Sequence, residues 1–354
     1  MIPSKNRIYS SGILSGTVKP KYLIIKSLLG DEYDTSRGVD IFIDLNTFIG
    51  AMLSSRNYLT SLPFNENAEA DIVSSLVHIA LHWKNFSRQW EDVKIYMVMN
   101  DYVDNPLCCE QKIIKSYLHP YKNTINGSRY DNVRYYITEA VNITQKVFNF
   151  IPNLYLVKCK DFDSLVFPNV IKGYEVNNRK RIIVTGNNMF TGYMYETNCR
   201  VIYSKCRHNG ITQVYDPVMI AKSISKIDDE IVETFTKNKV FYNLLNVIVG
   251  DFDRGILGMN GIGISRVAAE LARSIEKGSI PLEPKSFNSV LSVIDPTFHS
   301  YVTTAYPLVD LKTHSNMVKQ SSIETIKTEQ LIDNIDIDGL RQFSIDGVNL
   351  LELL

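Results

Sequence analysis

Apolar stretches with β-branched and aromatic content recur along the first two thirds of the chain, at Val39 to Leu45, Val93 to Met99, Leu154 to Val157, Arg181 to Thr185 and Arg200 to Ser204. They alternate with helix-like stretches, such as the amphipathic run from Ala68 to Trp83. Short continuous apolar runs between helices are how strands of a parallel sheet covered on both faces read, so the pattern predicts an α/β fold with a mostly parallel twisted sheet flanked by helices. Pro106 to Phe150 is long and polar in its middle, at Asn123 to Ser128, and suits a protruding helical arch. Helical periodicity returns at Lys237 to Val249 and at Ile264 to Glu276, two helices joined by a glycine-rich turn. The expected organisation is an α/β domain over 1–220 with the arch near 106–150, an appended helical module over 221–300, and a C-terminal extension over 301–354. In that extension, Ser321 to Leu354 mixes acids with short apolar clusters and suits either a partner-binding tail or a docked helix.

The turn between the two late helices carries the most chemistry. Val249-Gly250-Asp251-Phe252-Asp253 is followed by Gly258-Met259-Asn260-Gly261-Ile262-Gly263-Ile264-Ser265-Arg266. Gly261 and Gly263 permit positive φ and place no side chain between main chain and ligand, and the N–H groups that open the next helix attract anions. A phosphate cradle and a plain interhelical turn are both compatible with this spacing.

Charge narrows the partners. The 38 basic and 38 acidic side chains balance, so any nucleic-acid contact has to come from local patches. Lys112, Lys115, Lys122, Arg129 and Arg134 are interleaved with Tyr117, Tyr121, Tyr130, Tyr135 and Tyr136. That mixture fits an arm that grips a strand through cations and stacked rings, and equally a solvated helical surface. Five cysteines, with Cys108 and Cys109 adjacent, do not make a disulfide framework. Cys199, Cys206 and His208 lack a fourth zinc ligand, and His78 and His82 lack the intervening glutamate of a zinc-protease helix. With no apolar leader near Lys5, Arg7, Lys19 and Lys21 and no membrane-spanning run, the chain reads as soluble, intracellular and cytoplasmic, with no membrane partner.

Acids stand at the ends of the expected strands. Asp44 closes the first, Asn100-Asp101 follow the second, Asp161 and Asp163 follow the third, and Asp251 and Asp253 open the glycine turn. In open parallel sheets the functional crevice lies beyond the carboxyl ends of the strands. Carboxylates gathered there are hard oxygen ligands of the kind that hold Mg²⁺ for phosphodiester hydrolysis.

In this order, the motifs resemble those of the flap endonuclease-like 5′-nuclease family, which includes phage-type ribonuclease H and shares its sheet with PIN-like ribonucleases. Ile41-Phe42-Ile43-Asp44 resembles the family's first metal-bearing strand, and Cys159 to Leu165 resembles its Glu-Ala-Asp-Asp segment, with Ser164 at the last acid. Met99-Asn100 aligns with a Phe-Asp pair, leaving Asp101 one position late. Asn187 and Met189 occupy the positions of an Asp-x-Asp, and Arg254 stands at the last acid of Gly-Asp-x-x-Asp. The later glycine segment resembles the helix-three-turn-helix of the family.

The resemblance implies a PIN-like nuclease domain followed by a helix-three-turn-helix module. It also implies a Mg²⁺- or Mn²⁺-dependent 5′-nuclease or ribonuclease H of viral or phage replication, in the latter case acting within an infected host cell. Asp44, Asp101, Asp161, Asp163, Asp251 and Asp253 would be metal ligands for one or two ions, and a potassium ion is a candidate at the turn. Arg254 would contact the scissile phosphate in place of the second ion. Branched duplex DNA or an RNA–DNA hybrid would be held by Lys112, Lys115 and Lys122 and by Gly258, Gly261, Gly263, Ser265 and Arg266, and the C-terminal tail would meet replication proteins. Neutral Asn187 and Met189, together with Arg254, also fit a non-catalytic relative that binds branched DNA without cutting it.

Overall fold

The computed structural model describes residues 38–45, 92–100, 142–143, 146, 154–159, 179–186, 188–196, 198–205, 211–214, 221, 228–250, 256, 258–259, 261–310 and 323–327. The five strands read from the sequence are β1 (Val39–Asp44), β2 (Val93–Asn100), β3 (Leu154–Cys159), β4 (Lys180–Thr185) and β5 (Cys199–Lys205). Two further strands, β6 (Ile211–Val214) and β7 (Ile323–Lys327), complete a seven-stranded sheet in the order β6-β5-β4-β1-β2-β3-β7. β1 to β5 are mutually parallel, and β6 and β7 run antiparallel at the two edges.

β1 lies at the centre and all six of its residues are buried. This explains why its sequence does not alternate: both faces of a central parallel strand are covered. Register aligns Val201, Ile183, Phe42, Tyr96 and Tyr155 in a row across the sheet. The rings of Phe42 and Tyr96 stack at 4.9 Å and those of Tyr96 and Tyr155 at 5.0 Å. Aromatic cross-strand pairs of this kind add roughly 0.5–1.5 kcal/mol beyond the area they bury. Phe190 and Tyr193, from a 3-10 helix over Asn188–Tyr195, pack on the same row.

The start of the sheet is tied by one cation. Arg179 donates from Nε to Asp40 at 2.9 Å, from Nη1 to Asp92, and from Nη2 to the carbonyls of Val39 and Asp92 at 3.3 Å each. Three strands therefore begin on one guanidinium. Gly38, at φ 90, makes room for it, since a Cβ there would sit 2.6 Å from Arg179 Cζ.

A second core is helical. It is built around α1 (Asp229–Phe235), α2 (Lys239–Val249), α3 (Ile264–Glu276) and α4 (His299–Val309). α2 and α3 match the two helices expected from the sequence to within two residues. α2 is apolar almost all round and buried on Phe241, Tyr242, Leu244, Leu245, Val247 and Ile248, as a core helix must be. α3 is amphipathic and buries only Val267, Ala268 and Leu271. Both pack against α1.

The 3-10 helix joins the two cores. Thr191 Oγ1 and Tyr242 OH lie 2.6 Å apart, Tyr195 OH donates to the carbonyl of Thr236 at 3.1 Å, and Met194 contacts both cores. The boundary expected near residue 300 falls inside α4, which belongs to the helical core, and β7 returns to pair with β3. Residues 301–309 and 323–327 thus divide between the two cores. The helix expected at Ala68 to Trp83 lies outside the described residues, and of the expected arch only 142, 143 and 146 are described, all helical. No helix among the described residues is long and apolar enough to cross a membrane.

Candidate functional site

Chain order runs β1, β2, β3 to one side of the sheet and then crosses to β4 and β5 on the other side of β1. The reversal puts the topological switch point at the carboxyl ends of β1 and β4, the place where ligands of open α/β sheets bind. Asp44 ends β1 at this point and Thr185 ends β4. The Thr185 hydroxyl donates to Asp44 Oδ2 at 2.7 Å, and both side chains are buried, at 0% and 7% exposure. A buried carboxylate is strongly disfavoured unless hydrogen bonds or cations compensate it. Thr185 supplies one such bond. Sequence reading singled out Asp44 and missed Thr185, whose signal was only that a polar residue closes a strand otherwise filled by Ile182, Ile183 and Val184.

β2 and β3 end at the same edge of the sheet, with Asn100 opposite Cys159 in register. Asp101 follows Asn100 directly in the chain, and Asp161 and Asp163 follow Cys159 by two and four residues. Asp101, Asp161, Asp163, Asp251, Asp253 and Arg254 lie outside the described residues, as do Lys112, Lys115, Lys122 and Asn187. Among the described residues no group of three or more His, Cys, Asp or Glu side chains is placed to hold a metal ion. Of the expected ligands, the described residues contain Asp44 alone. Its oxygen chemistry and its position suit a hard divalent ion.

The glycine turn is described in more detail. α2 ends at Gly250, at φ 82 and ψ 170, a region open essentially to glycine alone. Gly258, at φ 75, lies against the same helix end, because a Cβ on it would be 2.5 Å from the Val249 carbonyl oxygen. Its N–H is given to the Tyr301 hydroxyl at 3.1 Å, and Met259 N donates to the Ile248 carbonyl at 2.9 Å. Loop closure therefore accounts for glycine at 258. Gly261 is different: it is exposed at φ 86, with nothing within 4 Å of the place a Cβ would take.

Gly263 corrects one expectation. Its φ is −66, so positive φ is not the reason for glycine there. It is the N-cap of α3 and, lacking a side chain, makes no cap hydrogen bond. Ser265 and Arg266 are exposed in the first turn. A first turn without a side-chain cap, an open glycine before it and an exposed arginine on it have the chemistry of an anion site.

Three electrostatic shifts fall outside both places. Burial pushes the Asp40 carboxyl up despite Arg179 beside it, whereas the Arg179 hydrogen bond holds exposed Asp92 below the usual carboxylate range. Burial raises Tyr242 to about 12 against its hydrogen bond with Thr191. These groups lie at the strand starts and between the cores, so they serve the fold. The sequence matches no protein-family model, and a search of curated proteins finds no match.

Proposed function

We propose that the chain is a PIN-like, structure-specific 5′-nuclease or ribonuclease H with a helix-three-turn-helix module, acting on branched duplex DNA or an RNA–DNA hybrid during viral or phage replication. The observation that carries this reading is Asp44, a buried carboxylate held by Thr185 at the switch point of a parallel sheet. The glycine turn, fastened to the same sheet through the 3-10 helix, supports it as the place where a duplex backbone docks.

In this reading Asp44, Asp161 and Asp163, with Asp101, hold Mg²⁺ or Mn²⁺. These carboxylates would hold the ion, which would lower the pKa of a water and offset charge on the phosphate. The chain's own part is positional. Thr185 orients the Asp44 carboxylate, and the buried strand ends keep bulk water from competing for it. The open main chain at Gly261 and the first turn of α3, with Ser265 and Arg266, receive phosphates without regard to base sequence. Lys112, Lys115 and Lys122 would guide the 5′ strand, and Arg254 would serve the phosphate that is cut.

A second reading is a DNA-binding relative that has lost cleavage. It is favoured by Asn187 and Met189, and by Thr185 already occupying Asp44 Oδ2. One assay separates them. Under the nuclease reading, purified protein with Mg²⁺ or Mn²⁺ releases 5′-labelled fragments from a flap or a hybrid. Asp44→Ala abolishes release but still binds the substrate. Binding without release in either metal supports the second reading.

A further inference from the structure

We infer that Tyr301 is the positioning residue of the glycine turn: its phenol oxygen fixes the backbone from Gly258 onward at the angle at which duplex phosphates are received. This rests on the duplex-binding reading above.

Among the described residues, the turn is held by contacts between backbones and by the Tyr301 side chain. A Cβ on Gly250 would lie 2.5 Å from Gly258 N and from the Ile256 carbonyl oxygen, so the returning loop lies directly on the end of α2. Against that contact, Gly258 donates its N–H to Tyr301, 43 residues further along the chain. Gly261, with open space above it, comes three residues after this anchored amide. Met259 N is held in turn by the Ile248 carbonyl, and Ile262 N donates to the Met259 carbonyl at 3.4 Å, which ties the anchored amide to the peptide that follows Gly261.

The anchor itself does not move easily. Tyr301 stands in the first turn of α4, and α4 is sunk in the helical core through Val302, Ala305, Tyr306 and Leu308. Burial keeps the phenol protonated above its usual range, so it accepts from Gly258 and retains a proton of its own to donate. The segment leading into α4 also feels the turn, because the charge of Arg266 helps to hold exposed Asp295 below the usual carboxylate range, after its bonds to Thr297.

The test uses the full chain and a fluorescent duplex bearing a 5′ flap, titrated by anisotropy over a series of salt concentrations. Tyr301→Phe is compared with wild type and with Arg266→Ala, alongside thermal unfolding and amide exchange of the peptide spanning 250–263. Expected for Tyr301→Phe is binding weakened about fivefold, the loss of one ordinary hydrogen bond. The slope of log affinity against log salt becomes shallower by roughly one phosphate contact. Exchange in the loop speeds up while the melting temperature moves by only about 4–8 °C or less.

Wild-type affinity and slope in Tyr301→Phe, with Arg266→Ala weakened, overturn the inference and leave duplex binding standing. Loss of affinity through unfolding alone, with the slope of the folded fraction unchanged, also overturns it. If neither wild type nor Arg266→Ala shows salt-dependent duplex binding, the duplex-binding reading fails and takes the inference with it.

Discussion

Two glycines at nearly the same backbone angle have different reasons to be glycine, and the difference is measurable. Gly38 and Gly261 have φ of 90 and 86. At Gly38 a Cβ meets the Arg179 guanidinium and lies 2.7 Å from Asp92 Oδ2, so Gly38→Ala strains the backbone and also displaces the cation that starts three strands. At Gly261 it meets nothing. Urea unfolding is expected to show Gly261→Ala costing about 1 kcal/mol, the backbone term alone. Gly38→Ala is expected to cost about 3 kcal/mol or more once the buried ion pair is disturbed. The same ion cluster sets an acid response. Asp92 has its pKa lowered by the Arg179 hydrogen bond, so its contribution is present above the ordinary 3.8 and is lost as pH falls through its folded value. Asp40, raised by burial, acts oppositely and is relieved as pH falls toward 3.8. Asp92→Asn is therefore expected to flatten the loss of stability below pH 3.8 in acid titrations followed by circular dichroism. None of this was legible beforehand, because the sequence does not show that Gly38, Asp40, Asp92 and Arg179 meet.

Among the elements, the strands that could be read were those buried on both faces. β1 and β4 stand out as continuous apolar runs because no position along their inner residues faces water. β6 and β7, with sequences ITQV and IETIK, are short edge strands of mixed polarity and escaped notice. The 3-10 helix NMFTGYMY carries a glycine in its middle, and α4 contains Pro307 near its end, so neither presents a clean helical period. α3 was legible from its amphipathic spacing, but the role of its first residue was not: the sequence suggested positive φ at Gly263, and the structure shows an N-cap. That role leads to a paired outcome for Gly263→Asp. A cap side chain near the helix's positive end is expected to stabilise the protein by a few tenths to about 1 kcal/mol in thermal or urea unfolding. The same carboxylate occupies first-turn N–H groups and repels phosphates, so duplex affinity is expected to fall for all sequences alike. Equal duplex affinity in a more stable protein would remove the first turn of α3 from the account.

At the scale of the molecule, the sheet and the helical core share the 3-10 helix, and their contact is polar where it is deepest. Thr191 is fully buried and its hydroxyl meets Tyr242 OH. Tyr242→Phe is expected to lower stability by roughly 0.5–1.5 kcal/mol, because it removes the hydroxyl that bonds Thr191 and Asn246. It is also expected to separate the near- and far-ultraviolet unfolding transitions, which coincide in the wild type if the two cores melt together. This joint ties the sheet that carries Asp44 to the helix that ends at the glycine turn. The sequence offered Asp44 and the glycine turn as candidates from residue type and order, yet the hydrogen bond from Thr185 and the bridge through Thr191 are contacts between distant segments, which no local spacing encodes. The most direct measurement is Mn²⁺ binding by the full chain, followed by electron paramagnetic resonance, in wild type and Asp44→Ala. Saturable binding by the wild type that weakens by at least about tenfold in the variant is expected, since even groups that only hydrogen-bond a metal's ligands are worth about 10–100-fold. No saturable binding by the wild type, or equal affinity in the two proteins, would contradict a metal-dependent nuclease centred on Asp44.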